Sequence, residues 1–470
     1  MLLNKKKSLF FFSLLFFSFL FPAISQGTPL DDYIAIPDNA YGWNLQDKTQ
    51  EDHCTIYHLQ LTSQQWRSFL EVDSPIWTHA LTVIVPDTLL SPYALLRISG
   101  GINSNDIPPQ LNNDKDLAKI AVTTCSVIVT LRMVPNQYLK FPDENNPRHL
   151  NTGRKEDALV AYTWNKFFQT QDPYWPLLLP MTKSVVRAMD AIQSFCASSL
   201  TSACQIKGFI LAGASKRGWA TWLTAAVDPR VKAIIPIVMD ALNSKATFIR
   251  SYQAYGVFPP ILQDFIDIDI ASYLYSSQYH DLMNIEEPFA YFDRLTLPKY
   301  IINASGDEFF LPDSSQQYFH ILSGEKNYLR YIPNANHDLR GTDAEESALA
   351  FYLAILYKKP LPKISWTFQE DNTLVVQSNI KPLAANLWQA SNSAARDFRV
   401  SSLGKEAWTS ELLTLQNNGT YAAGIPPPTE GWKAFFVELV YDSEMAIPYK
   451  FTTDVFVIPD SFAYEFPNPH

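Results

Sequence analysis

Apolar residues fall along this chain in two textures. Between Leu81 and Ile332, short apolar runs alternate with stretches whose apolar residues recur at helical spacing. The runs predict buried strands near Leu81–Val85, Ala94–Ile98, Ser126–Leu131, Gly208–Ala212, Ala233–Val238, Lys299–Asn303 and Leu329–Ile332. Helices are predicted over Ser184–Phe195, after Ser215, and over Ala344–Lys358. Such alternation predicts an α/β sheet wrapped by helices, in a domain spanning residues 26–360, with 26–80 as a mixed lead-in. Two aromatic-rich insertions interrupt it, near 133–180 and 241–288. Both leave strand ends on one side of the sheet, so they are expected to build a cap there, most of their aromatics packing against one another.

Past Pro360-Leu361-Pro362 the texture changes to short strands separated by turn residues such as Asn417-Asn418-Gly419 and Pro426-Pro427-Pro428. Residues 363–460 are therefore expected to form a small β-sandwich of the immunoglobulin or fibronectin kind. It could bind carbohydrate or a protein partner, or simply pack on the first domain, and packing is preferred. At the other end, Lys5-Lys6-Lys7 precede an apolar core of 14 residues, Ser8–Phe21, followed by Pro22-Ala23-Ile24-Ser25. That pattern predicts a secretory signal peptide over residues 1–25. The core is short of the roughly 20 residues a membrane span needs.

The chemistry centres on Gly213-Ala214-Ser215-Lys216-Arg217-Gly218-Trp219, where an apolar run meets a small-residue helix. A serine at such a strand–turn–helix junction has its hydroxyl raised above a parallel sheet. The usual spacing is Gly-x-Ser-x-Gly, and here the second glycine comes one residue late. Downstream, Asp307 follows the Lys299–Asn303 run and His337 follows the Leu329–Ile332 run. Ser, Asp, His, each just past a strand end, is the chain order of an α/β-hydrolase triad. Ser215 is then the nucleophile, His337 the base that takes its proton, and Asp307 the acid that orients the imidazole. Asp240, after the Ala233–Val238 run, is the rival acid, and Asp307 is preferred. The expected oxyanion donors are the backbone N–H of Lys216 and that of Gly100 or Gly101, just past Ala94–Ile98. Arg217 and Trp219 are candidate substrate-binding side chains. For Arg217, inward pairing with a carboxylate such as Glu156 or Asp157 is slightly preferred over a substrate role.

Several of these segments resemble one family. Glu156-Asp157-Ala158-Leu159-Val160-Ala161-Tyr162-Thr163-Trp164, the Ser-Lys-Arg-Gly-Trp elbow, Asn336-His337 and Val134-Pro135-Asn136-Gln137 are similar to the PhoPQ-activated pathogenicity-related proteins. The resemblance runs over roughly residues 30 to 460 and makes the late glycine a family trait. It implies an α/β-hydrolase fold and a secreted or periplasmic protein, and it implies no substrate. The readings together point to an exported serine hydrolase acting on an ester, amide or peptide bond of a small molecule, a peptide or a carbohydrate ester. The alternative is a non-catalytic signalling or binding protein that keeps the fold.

Charge and cysteine usage narrow the picture. The 470 residues carry a net charge of −10, falling to about −13 once the three leader lysines are removed, which disfavours nucleic acid and anionic membranes as partners. The histidines and cysteines form no metal-ligand spacing, so neither metal nor cofactor is expected. Of four cysteines, Cys196 and Cys204 flank a loop before the serine strand and are expected to pair. Cys54 and Cys125 would pair by elimination, or stay as buried thiols.

Overall fold

The computed structural model describes residues 27–103, 112–199 and 204–467. The predicted leader, residues 1–25, lies outside the described residues. Nine strands precede residue 360: β1 Gly42–Glu51, β2 Cys54–Gln65, β3 Ile76–Pro86, β4 Tyr93–Ile98, β5 Ile128–Leu131, β6 Gly208–Ala214, β7 Val231–Ile237, β8 Lys299–Ala304 and β9 Asn327–Ile332. They lie side by side in the order β1-β2-β3-β5-β4-β6-β7-β8-β9. The first three are antiparallel to their neighbours, and β5 through β9 run parallel.

Parallel strands here are covered on both faces, which is why they read as apolar runs. Alternate residues point to opposite layers: Phe209 and Leu211 of β6 belong to one core and Ile210 to the other. The helices Leu178–Ser199 and Lys216–Val227 cover the first layer. Asn112–Thr124 and Ala344–Leu356 cover the second. The strand order reverses between β4 and β6, and an open α/β sheet collects its ligands in the crevice at such a point.

The lead-in contains the two strands that composition hid. β1 is largely exposed, and its Asn44-Leu45-Gln46-Asp47-Lys48 centre carries no apolar alternation. β2 is buried along most of its length, Cys54 and Ile56 in one core layer and Leu59 and Leu61 in the other, and its register shifts between Thr62 and Gln64. The two insertions meet over the elbow helix, with Trp164 of the first packed at 5.1 Å from Phe265 of the second and Phe168 stacked at 4.1 Å on Tyr273.

Eight further strands follow: β10 Ile364–Phe368, β11 Thr373–Ser378, β12 Ala384–Asn392, β13 Thr409–Leu412, β14 Thr420–Gly424, β15 Trp432–Tyr441, β16 Tyr449–Thr452 and β17 Phe456–Ile458. β10, β11 and β14 form a three-stranded sheet that packs on the others through contacts such as Phe368 on Phe435. The second sheet of this pair is continuous with the first domain, because β16 pairs antiparallel with β9 at Thr452 and Leu329. Arg330 of β9, almost fully buried, bonds Glu438 of β15 and Asp343, fastening the two halves.

Cys196 and Cys204 are joined, their Cα atoms 5.3 Å apart, so the end of the Leu178–Ser199 helix is tied to the approach of β6. The Cys54–Cys125 pairing does not occur. Cys54 is buried in the core at the start of β2, and the Cys125 thiol turns to the Val122 carbonyl. Among the described residues, no helix is long and apolar enough to cross a membrane, and no cluster of His, Cys, Asp or Glu could hold a metal.

Candidate active site

β6 ends at Ala214; Ser215 follows with φ 56° and ψ −129°, and the helix Lys216–Val227 begins with the next residue. A side chain other than glycine rarely accepts positive φ, and such strain gathers at functional turns. The turn is held by the Ser215 amide donating to the Ile237 carbonyl at 2.8 Å. Its two glycines are required by space. A Cβ on Gly213 would lie 2.5 Å from the Arg217 carbonyl oxygen, and one on Gly218 would lie 3.0 Å from both the Gly213 oxygen and the Met239 Cβ. The late glycine therefore sits where the helix crosses back over β6 and β7.

The loops after β8 and β9 bring Asp307 and His337 together. His337 Nδ1 is 2.8 Å from Asp307 Oδ2, and Asp307 Oδ1 accepts from the Phe309 amide at 2.8 Å. Burial lowers the imidazole pKa, but the Asp307 charge and hydrogen bond outweigh it, leaving His337 above the usual 6.5. Among the described residues no hydrogen bond joins His337 to the Ser215 hydroxyl. The two share a wall: Phe309 and Phe310 line the pocket holding Ser215, and the Phe309 ring lies 4.4 Å from the imidazole. Hydrogen bonds of this kind are often long before substrate arrives. Asp240, the rival acid, is buried and accepts from the Tyr318 and Tyr331 hydroxyls, each at 2.6 Å. Burial pushes its pKa up to about 8.

A second strained residue organises the entrance side. Glu156 has φ 51° and ψ −130° and heads the helix Asp157–Thr170. Its carboxylate accepts from Lys216 Nζ, Arg217 Nη1 and Gln137 Nε2, each at 2.7 Å, and also from Arg217 Nη2. Burial would raise this carboxyl, yet the Arg217 hydrogen bonds and the Lys216 charge hold it well below the ordinary range. Lys216 also reaches Asp157 at 3.2 Å. Arg217 spends its remaining reach on the Val134 carbonyl, Nε to O 2.6 Å. Arg217 takes the inward pairing preferred for it: its guanidinium is engaged by Glu156 and it does not line the pocket, which corrects its candidacy as a substrate-binding side chain. Trp219 does line it, as does Lys216.

Gly100 owes its size to Arg217, since a Cβ there would lie 2.6 Å from Nη2. The Gly100 carbonyl accepts from the Met133 amide at 3.0 Å and the Gly101 carbonyl from Gln137 Nε2 at 2.9 Å. Those bonds fix the strand-end loop beside Ser215. Sequence reasoning missed Gln137 as the linchpin between that loop and Glu156, although both lie in segments that carried the family resemblance. It also missed the support from beyond residue 390. The Val400 amide donates to the Gly306 carbonyl at 3.0 Å, next to Asp307. Buried Arg396 and half-buried Arg250 both bond Asp313, tying the C-terminal strands and the second insertion to the acid loop.

A mostly parallel sheet with this strand order, a strained serine after β6, and an Asp–His pair after β8 and β9 define an α/β-hydrolase. Residues 30–399 match the PhoPQ-activated pathogenicity-related protein family, and the chain belongs to it. It is 35% identical over 466 residues to autocrine proliferation repressor protein A of Dictyostelium discoideum, covering 93% of this chain and 92% of that protein. Among solved structures it is similar to acetyl xylan esterase 1 from Thermoanaerobacterium sp. JW/SL YS485 (TM-score 0.46, 14% identity, 70% of this chain and 91% of that one). A glucuronoyl esterase from Solibacter usitatus aligns at TM-score 0.41 and 14% identity, over 70% of this chain and 90% of that one.

Proposed function

We propose that this protein is an exported serine hydrolase that cleaves an ester, amide or peptide bond through an acyl-enzyme on Ser215. The observation that carries the reading is the 2.8 Å bond between His337 Nδ1 and Asp307 Oδ2, beside a serine held at positive φ. With Nδ1 given to Asp307, Nε2 is the nitrogen left to take the Ser215 proton as Oγ attacks the carbonyl carbon. Asp307 holds the tautomer and stabilises the imidazolium that forms. The developing oxyanion is met by the Lys216 amide and by Gly100 or Gly101, whose carbonyls are tied back. His337 then returns the proton to the leaving group, and water repeats the sequence on the acyl-enzyme. The Cys196–Cys204 bond suits an oxidising compartment.

The test is hydrolysis of a p-nitrophenyl ester panel by the exported protein. Ser215→Ala and His337→Ala are each expected to lose about 10⁴-fold in kcat while remaining folded. Turnover by Ser215→Ala near that of the unaltered protein sinks the assignment. Amino-terminal sequencing of exported protein is expected to start at Gln26.

One observation favours a second reading. The Dictyostelium relative is named for repressing proliferation, and it matches across nearly the whole of both chains. Under that reading the fold presents a surface to a partner and turnover is incidental. Retention of biological effect by Ser215→Ala would favour it.

A further inference from the structure

The pocket that opens at Ser215 is lined mostly by aromatic and other apolar side chains. Its walls include Trp164, Trp219, Phe248 and Phe265, drawn from both insertions and the elbow helix. Trp164 stands edge-on to Trp219 at 6.2 Å, and Phe248 to Phe265 at 5.5 Å. Aromatic side chains in this mutual arrangement present faces and edges that suit a further ring. Both indole N–H groups are turned away from the pocket, Trp164 to the Glu286 carboxyl group and Trp219 to the Glu286 carbonyl. That leaves apolar surface inside and locks the two rings in place.

The charged groups at the pocket are already neutralised. Lys216 is shared between Glu156 and Asp157, and Arg217 is committed to Glu156. An anionic group entering would find no free counter-charge, and burying an unpaired ion is strongly unfavourable. Three hydroxyl side chains from the helix Ser244–Tyr255 also line the pocket. Ser244 bonds Tyr279 at 2.9 Å, and Thr247 turns to the Asn243 carbonyl at 3.4 Å. Ser251 is different: it is 2% exposed, and its Oγ has no hydrogen-bond partner among the described residues. A buried hydroxyl left unpaired costs stability until something pairs with it.

We infer that the substrate is a neutral ester whose acyl group carries an aromatic ring with a hydrogen-bonding substituent, the ring lying among these aromatics and the substituent meeting Ser251. The inference rests on Ser215 as nucleophile. The acyl side of the ester, the part that stays on Ser215 Oγ after His337 has protonated the leaving group, is assigned to this pocket.

Ser215→Ala protein separates binding from turnover, and its affinities are read by calorimetry. The probes are methyl 3-(4-hydroxyphenyl)propanoate, methyl 3-phenylpropanoate, the reversed ester 3-phenylpropyl acetate, and monomethyl succinate as the anion. The hydroxylated ester is expected to bind tightest, about tenfold above its plain analogue. The reversed ester and the succinate are expected to be weakest. Adding Ser251→Ala should erase the tenfold preference and leave the plain analogue unchanged. Equal binding of all four, tightest binding of the reversed ester or the anion, or a preference that survives Ser251→Ala would each overturn the inference. Fluorophosphonate labelling of the unaltered protein is read separately. Labelling without the ring preference removes the pocket assignment alone, whereas the preference without labelling removes the nucleophile and leaves a ligand site.

Discussion

Asn334 and Trp408 exchange two hydrogen bonds across 74 residues of sequence. Asn334 Nδ2 donates to the Trp408 carbonyl at 2.9 Å, and the Trp408 backbone amide donates to Asn334 Oδ1 at 2.8 Å. Asn334 lies three residues before His337, at φ 58°. The segment beyond β12 thus clamps the histidine loop, just as Val400 clamps the acid loop. Asn334→Gly keeps the left-handed backbone and removes both bonds. It should cost about 1–3 kcal/mol in denaturant unfolding and lower kcat more than it raises KM. An unchanged kcat would show that the clamp has no hold on His337.

Glu156 is the common partner of two cations that have little access to water. Glu156→Gln leaves Lys216 and Arg217 without their main counter-charge, and a loss of about 2–3 kcal/mol is expected, discounted for the partial exposure of the carboxylate. Because the Glu156 pKa is depressed on folding, its contribution is complete above the unfolded value and is lost as pH falls. The unaltered protein should therefore weaken below about pH 4.5, and the variant should lack that part of the acid limb. Chemical denaturation at several pH values checks both statements.

The site's pH dependence follows from the Asp307–His337 bond. His337 must be neutral to accept the Ser215 proton, and its pKa lies above 6.5. The rate of labelling by a fluorophosphonate should rise with pH through a midpoint above 6.5. In Asp307→Asn the main raising influence is gone while burial and the Lys216 charge, which lower the pKa, remain against only the lesser pull of Asp157, so the midpoint should move below 6.5 and the plateau should fall by orders of magnitude. Asp240→Asn should leave the midpoint in place. If Asp240→Asn is the crippling change, the acid lies after β7 instead.

Burial pushes Glu286 up to about 8, against the hydrogen bond it receives from the Trp164 indole. An acid with a raised folded pKa stabilises fully below its unfolded value and loses that contribution as pH rises through the folded one. Between about pH 4.5 and 8 the unaltered protein should lose stability that Glu286→Gln does not lose. Parallel stability curves for the two proteins would contradict this.

The sequence made the parallel strands legible because burial on both faces leaves an apolar signature that needs no partner to interpret. The first strand stayed hidden because its exposed edge carries Asn44, Gln46, Asp47 and Lys48 where apolar residues would have marked it. The serine, acid and base candidates could be named because each stands just past such a strand, in a fixed order. Arg217 could be assigned to Glu156 only as one of two options, since 61 positions separate them. The pairing of β16 with β9, the Asn334–Trp408 exchange and the unpaired Ser251 hydroxyl leave no local pattern. They arise from the approach of distant segments, and no periodicity encodes that approach.

The most direct test of the account is peptide mapping of the protein after reaction with a fluorophosphonate. One stoichiometric adduct is expected, on Ser215, formed by the folded protein and abolished by prior unfolding. Asp307→Asn and His337→Ala should slow it by about 10³-fold or more. An adduct on another serine, or none from folded protein, would contradict Ser215 as the nucleophile.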